Sequence, residues 1–261
     1  MNLDFSGTTA IVTGSSGIGL GAALKLARLG AKVHLAGIDE AHNEKARAAA
    51  NGLNVIVHKT DVSDESQVNQ LISDVTKGAE NSGIDILVNA AAIQTYGTIE
   101  TTDIGHWDKV MAINLRAYFL TSHAVYPHMK PKKSGSIIHV SSVQGFANQN
   151  GVLAYATTKG AIHAMTRAMA VDCAKDNITV NSVSPGSVRT PLLEFAAQEI
   201  VGQGNPIEDT IAEFGSSHPI GRVGTVEEVG DLIAFLASDV SGFCTGADYK
   251  IDGGLSACLG V

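Results

Sequence analysis

Residues 8–19 read Thr8-Thr9-Ala10-Ile11-Val12-Thr13-Gly14-Ser15-Ser16-Gly17-Ile18-Gly19, and the succession of residue types along them decides the fold. Thr8 to Thr13 are β-branched and apolar, which suits a strand. A glycine turn follows, and from Leu20 to Leu29 apolar residues recur at helical spacing. Glycines between a strand and a helix let the chain turn tightly and let backbone N–H groups approach a pyrophosphate at the helix N-terminus. A plain glycine-rich turn has the same composition, so the context matters. A second strand, Lys32 to Ala36, completes a βαβ unit around this one.

The rhythm continues along the chain. Helical periodicity from Glu40 is followed by a strand at Asn54 to Val57, a helix from Asp64 to Lys77 and a strand at Asp85 to Val88. A long helix is expected from His106 to Tyr126, a strand at Ser136 to Val140, a helix from Leu153 to Ala174 and a strand at Ile178 to Val183. A helix at Val226 to Leu236 and a short strand at Tyr249 to Ile251 close the pattern. Strands of nearly continuous Ile, Val and Leu are those of a parallel sheet covered on both faces. The expected fold is therefore α/β, a doubly wound parallel sheet of the Rossmann-like kind, with ligands bound beyond the carboxyl ends of the strands. Residues 190–218 break the rhythm with Gly202, Gly204 and Pro206, and are read as a covering segment over the site.

With 261 residues, 44% hydrophobic and 17% charged, the chain suits one large core, and no linker or repeat divides residues 1–261. The start, Met1-Asn2-Leu3-Asp4-Phe5, lacks the basic and apolar run of a signal peptide, and no apolar stretch reaches about 18 residues. A cytoplasmic protein is the expectation. Cys173, Cys244 and Cys258 are an odd number without metal-ligand spacing, and His123, His128, His139 and His163 lack that spacing too, so no disulfide framework and no metal site are expected. A net charge of −8 argues against nucleic acid and against an anionic membrane. It also means that a phosphate-bearing ligand must be held by local backbone dipoles.

Tyr155 and Lys159 lie four apart in a helical segment, hence on one face. A tyrosine hydroxyl has a pKa of about 10, and a nearby ammonium favours the phenolate that can take a proton from an alcohol. The same spacing also serves ordinary surface pairs. Ser142 follows the strand Ser136 to Val140, and so falls at the same sheet edge, where its hydroxyl can hold a reacting oxygen. Asn114 sits in a stretch that is otherwise helical, where asparagine is a mediocre helix former.

Taken together, the turn Thr13 to Gly19, the segment Tyr155-Ala156-Thr157-Thr158-Lys159 and Ser142 resemble the short-chain dehydrogenase/reductase family, from Gly14 to the closing Asp252-Gly253-Gly254. The resemblance implies a nicotinamide dinucleotide held by Gly14, Ser16, Gly17, Ile18 and Gly19. The family places three residues between the first glycine and Gly-x-Gly; here only Ser15 and Ser16 intervene. After the second strand, a carboxylate commonly meets the ribose of NAD and a basic residue the phosphate of NADP. Those positions are Gly37 and Ile38, and neither signal is present. Asp39, one residue on, is either a ribose ligand or a helix N-cap. NAD is favoured and NADP stays open.

The resemblance further places Asp61 and Val62 near the adenine. It puts Asn89, Ala90 and Ala91 beside the cofactor, where the family's Asn-Asn-Ala-Gly reads Asn89-Ala90-Ala91-Ala92. Pro185, Gly186, Val188 and Thr190 correspond to the segment that holds the nicotinamide amide. The implied mechanism is hydride transfer between a substrate carbon and the nicotinamide, with Tyr155 as general acid/base. Lys159 lowers the tyrosine pKa and holds the ribose, Ser142 orients the substrate oxygen, and Asn114 supports a proton-relay water.

Gln144, Asn148, Gln149 and Asn150 follow Ser142 and offer amide groups to a polyhydroxylated small-molecule substrate, with Gln144 and Gln149 the chosen contacts. The covering segment adds Glu194, Gln198 and His218. The pattern resembles sugar dehydrogenases of the family. An NADPH-dependent ketoreductase of the 3-oxoacyl type and a non-catalytic dinucleotide sensor or scaffold are the alternatives. Resemblance also implies a homotetramer built through the two long helices.

Overall fold

The computed structural model describes residues 3–77 and 83–259, so the first two residues of the N-terminal stretch and the ends of the 1–261 domain lie outside the described residues. Strands β1 (Thr9–Thr13), β2 (Lys32–Gly37), β3 (Val55–Lys59), β4 (Ile86–Asn89), β5 (Gly135–Val140), β6 (Ile178–Pro185) and β7 (Asp248–Ile251) form one sheet. Its order is β3-β2-β1-β4-β5-β6-β7, with every neighbouring pair parallel. Helices α1 (Gly17–Arg28), α2 (Glu40–Ala49), α3 (Glu65–Lys77), α4 (Ile104–Met111), α5 (Ala117–Met129), α6 (Leu153–Ala174), α7 (Pro191–Val201), α8 (Glu208–Ser216) and α9 (Val226–Ala237) complete the single domain.

Side chains alternate across a strand, and here both faces are apolar. Ala10 and Val12 of β1 pack with Ala22, Ala23 and Leu26 of α1 and with Ile233 of α9. Ile11 faces the other way, into a core with Val68 and Leu71 of α3 and Leu120 of α5. Strand order reverses between β1 and β4, and a crevice opens at the carboxyl ends of the strands there.

Two elements differ from the sequence expectation. The helix expected from His106 to Tyr126 is interrupted by a π-helical turn at Ala112–Arg116, which separates α4 from α5. The covering segment is not a loop: it contains α7 and α8. Pro191 occupies the first turn of α7, and Thr190 caps it by accepting from Leu193 N at 3.2 Å. Gly202 and Gly204, both with φ near +80° (83° and 81°), form the connection between the two helices. Among the described residues, no helix is long and apolar enough to cross a membrane.

Candidate active site

A cleft of about 530 Å³ runs along the crevice, from the β1–α1 turn to α6. Gly14, Ser16, Gly17 and Ile18 line its floor. Ser16 is the N-cap of α1 but makes no side-chain cap bond, so the first-turn N–H groups stay open to an anion in the cleft. Gly19 works from behind: a Cβ there would lie 2.1 Å from the Gly14 carbonyl oxygen. Glycine is therefore required for helix and turn to close on one another.

At the far end, Asp39, Asp61, Val62, Ile38 and Gly37 line the cleft. One oxygen of Asp39 accepts from His42 N at 2.8 Å, which makes it the N-cap of α2. Asp61 accepts from both the backbone N–H and the hydroxyl of Ser63, at 2.9 and 2.6 Å. Each carboxylate is thus engaged in shaping its own turn.

Beyond β4 the chain is held by hydrogen bonds that the sequence did not signal. The N–H groups of Ala90 and Ala91 both donate to Thr13 Oγ1, at 3.0 and 3.1 Å, so they stitch β4 to β1 and are not free for a ligand. Asn89 is fully buried behind the cleft and accepts from the Thr121 hydroxyl at 2.7 Å. Asn114, also fully buried, lies in the π-helical turn. Its Oδ1 accepts from Ile93 N at 2.9 Å, and its Nδ2 donates to Ile93 O at 2.8 Å and to Thr158 Oγ1 at 3.4 Å. A π-turn widens the helix and is frequent at functional sites. Here it aims the amide at the β4 exit loop.

Tyr155 and Lys159 project from α6 into the cleft and are 7% and 1% exposed, so the surface-pair alternative does not apply. Lys159 Nζ donates to Val140 O at 2.9 Å and stands 5.3 Å from the Tyr155 ring centroid. Burial lowers the lysine to about 7. Burial likewise pushes the Tyr155 phenol up to about 12, with Ser142 beside it acting in the opposite sense and the Tyr96 phenol adding to the rise. In the protein alone, then, desolvation favours the neutral form of both groups, and the expected lowering of the phenol by Lys159 is not seen.

Two serines end β5, and the structure separates their roles. The Ser141 hydroxyl donates to Lys159 O at 2.9 Å and anchors α6. Ser142 Oγ accepts from Gln144 N at 3.1 Å, which leaves its own proton available to the cleft. Gln144 and Gln149 line the cleft as expected, and Gln144 Oε1 is buried without a hydrogen-bond partner. Asn148 and Asn150 are exposed and do not line it. Beneath this loop Phe146 stacks on His163 with ring centroids 4.2 Å apart, and His163 is tied to Ser184 at 3.0 Å.

Pro185, Gly186, Val188 and Thr190 form the wall opposite. The polar residues expected from the covering segment are turned elsewhere. Glu194 pairs with Arg189 at 3.0 Å, Gln198 donates to backbone carbonyls of its own segment, and buried His218 accepts from Ser187 N at 3.0 Å. The segment covers the cleft instead with Leu192, Leu193, Ala196 and Phe214. Gln94 is a further polar wall residue, invisible in the sequence because one amide in an apolar run carries no periodic signal.

A doubly wound sheet with an open helix N-terminus at one end of its crevice, and a buried tyrosine, lysine and serine at the other, defines a nicotinamide-dependent oxidoreductase. The chain belongs to the short-chain dehydrogenase/reductase family. Residues 12–256 match the family model described as enoyl-(acyl carrier protein) reductase. The D-beta-hydroxybutyrate dehydrogenase of Cupriavidus necator is 37% identical over 259 residues, spanning 95% of this chain and 98% of that protein. The NADP-dependent (R)-specific alcohol dehydrogenase of Lentilactobacillus kefiri is 36% identical over 258 residues, 96% of this chain and 97% of that one. The ligand-free aldohexose dehydrogenase of Thermoplasma acidophilum superposes with a TM-score of 0.89 at 34% identity, covering 99% of this chain and 96% of that one. The chain is an enzyme that transfers hydride between an NAD(P) cofactor and a CH–OH or carbonyl substrate.

Proposed function

We propose that the enzyme is an NAD-preferring dehydrogenase of a neutral, polyhydroxylated substrate, a sugar or polyol. One observation carries this reading: Lys159 is the only lysine or arginine among the described residues that line the cleft, while beside Ser142 the buried Gln144 Oε1 awaits a donor. A carboxylate or sulfonate would find no counter-ion there, and a hydroxyl would satisfy the amide. The likeness to an aldohexose dehydrogenase supports the same class. At the adenosine end the absence of lysine and arginine from the lining, with Asp39 present, supports NAD over NADP.

The bound nicotinamide supplies the hydride acceptor. The positive charge of that group, when bound, would favour the Tyr155 phenolate, the phenol proton passing to Lys159, whose pKa is brought to about 7; Tyr155 Oη then takes the substrate hydroxyl proton while Ser142 Oγ holds the same oxygen. Asn114 is a positioning residue: by gripping Ile93 it fixes the loop against α6 on which a relay water depends. Gly14 to Gly19 would hold the pyrophosphate, and Pro185 to Thr190 the nicotinamide amide. The leucine- and phenylalanine-lined α7–α8 segment excludes water over the reacting atoms. Free Cys173, Cys244 and Cys258 are consistent with a reducing, cytoplasmic setting. Exposed Phe119 on α5 and Val171 on α6 support a homotetramer built through these helices.

The test is a cofactor-linked absorbance panel of aldoses, polyols, aldonates, simple alcohols and 3-oxoacyl thioesters, with NAD and NADP at equal concentration. Turnover should be fastest with a neutral sugar or polyol and NAD. Fastest turnover of a thioester with NADPH establishes the ketoreductase instead, and binding without turnover establishes the sensor.

A further inference from the structure

The shortened glycine turn has a structural counterpart across the cleft. Ser15, in the turn, is buried, and its side chain lies directly over the Cα of Gly37 at the end of β2. A Cβ at position 37 would lie 2.0 Å from Ser15 Oγ and 2.5 Å from Ser15 Cβ. It would also lie 2.4 Å from Oδ1 of Asn43, a fully buried residue of α2. The Asn43 Nδ2 donates to Gly37 O at 3.0 Å, but its Oδ1 is buried with no hydrogen-bond partner. Backbone conformation does not demand glycine here, because Gly37 is not among the residues with positive φ. The demand is spatial: three residues from three elements converge on one point.

That point is where a doubly wound nucleotide fold commonly carries the carboxylate that meets the ribose. We infer that Ser15 and Gly37 are a coupled specificity-determining pair. The turn, two residues long between Gly14 and Gly17, lays the Ser15 hydroxyl and the Asn43 amide oxygen into the carboxylate's space. At the end of β2 the site thereby offers the adenosine ribose the Ser15 hydroxyl in place of a strand-end carboxylate. The inference rests on the reading of the cleft as a dinucleotide site. Ser15, which lines the cleft, selects by hydrogen bonding, without the repulsion that a strand-end acid exerts on a 2′-phosphate, and Asn43 backs it from the interior. It also follows that an acid cannot be introduced at position 37 by itself. It becomes more tolerable when the Ser15 side chain is removed, since the remaining contact is with the rotatable amide end of Asn43.

The test is a double-mutant cycle on the full chain with Ser15→Gly, Gly37→Asp and both together, read by apoprotein melting temperature and by NADH and NADPH dissociation constants from direct titration. Gly37→Asp alone should lower the melting temperature and weaken NADH by about tenfold or more, a steric and desolvation loss of the order of one decade. In the double variant the melting temperature should return most of the way to that of Ser15→Gly, NADH affinity should recover, and NADPH should fall at least about tenfold behind NADH. Gly37→Asp that melts and binds like the parent overturns the coupling, and so does a double variant no better than Gly37→Asp. If the aspartate variants fail to fold, Gly37→Ala in the Ser15 and Ser15→Gly backgrounds replaces them: equal losses of melting temperature in both overturn the pair, and a larger loss beside Ser15 supports it. Failure of every variant and of the parent to bind either dinucleotide refutes the dinucleotide site itself, while the apoprotein temperatures still decide the pair.

Discussion

The two ends of the cleft are built by opposite means. At the catalytic end Tyr155, Lys159, Ser142 and Asn114 are buried, and the frame is braced by Lys159 on Val140, Asn114 on Ile93 and Ser141 on the α6 backbone. At the adenosine end Ile38 and Asp39 are exposed and His42 is half-buried, and the side chains there chiefly cap their own turns. A reacting group must be held within a fraction of an ångström, whereas a remote part of a cofactor needs only enough contact to contribute binding energy. Departures from the family pattern fall in the turn, at Gly37 and at Ala90 and Ala92 after β4, while Tyr155, Lys159, Ser142 and Asn114 are intact.

The contrast breaks most visibly at Tyr155. Tyr155→Phe should lower kcat by about a thousandfold while NADH still binds as in the parent, since only the acid/base step is lost. Single-turnover kinetics with a dinucleotide titration separates the two effects. Next in size is Asn114→Ala, which leaves the N–H and C=O of Ile93 without their side-chain partner and should cost about 3 kcal/mol in denaturant unfolding. A loss below about 1 kcal/mol, the level of an exposed cap, would mean that the brace is not a distinguishing feature of this end.

Acid tests both ends together. His34 on β2 is held down to about 4, chiefly by burial and further by its neighbours His58 and Lys32, and His139 on β5 is held down to about 3 by burial. Groups whose folded pKa lies below the ordinary value contribute stability above that value and lose it as pH falls. The melting temperature should therefore decline from pH 6.5 towards 3, with no comparable loss between pH 6.5 and 8. Smallest is Asp39→Ala: loss of the α2 cap should cost about 1 kcal/mol. Cofactor affinity should fall about threefold, against the hundredfold that a single dominant ribose ligand would give.

Much of this architecture is legible along the chain. Strands buried on both faces announce themselves as runs of Ile and Val, and the helix Leu153–Ala174 lies where its periodicity puts it. Tyr155, Lys159 and Ser142 are legible because their chemistry demands fixed residue types at fixed spacing. The π-turn is not, since Ala112, Ile113 and Leu115 have the composition of an ordinary helix and the widening is set by what Asn114 must reach. Helices α7 and α8 are obscured by Gly202, Gly204 and Pro206, which punctuate the segment without dissolving it. Thr13 as the anchor of Ala90 and Ala91, and Ser15 over Gly37, join residues distant in sequence, and no local pattern encodes such contacts.

The π-helical turn also acts on the long helix as a phase shifter. An ordinary helix turns by about 100° per residue, so one surplus residue rotates everything downstream by that angle about the axis. Upstream of the turn, α4 lies against α6; downstream, α5 lies against α3. The helices on either side of the seam thereby serve two different neighbours. Removing one residue between Ala112 and Arg116 would restore a regular helix and swing the apolar face of α5 away from the sheet, so the seam is a place where the chain tolerates substitution better than a change of length.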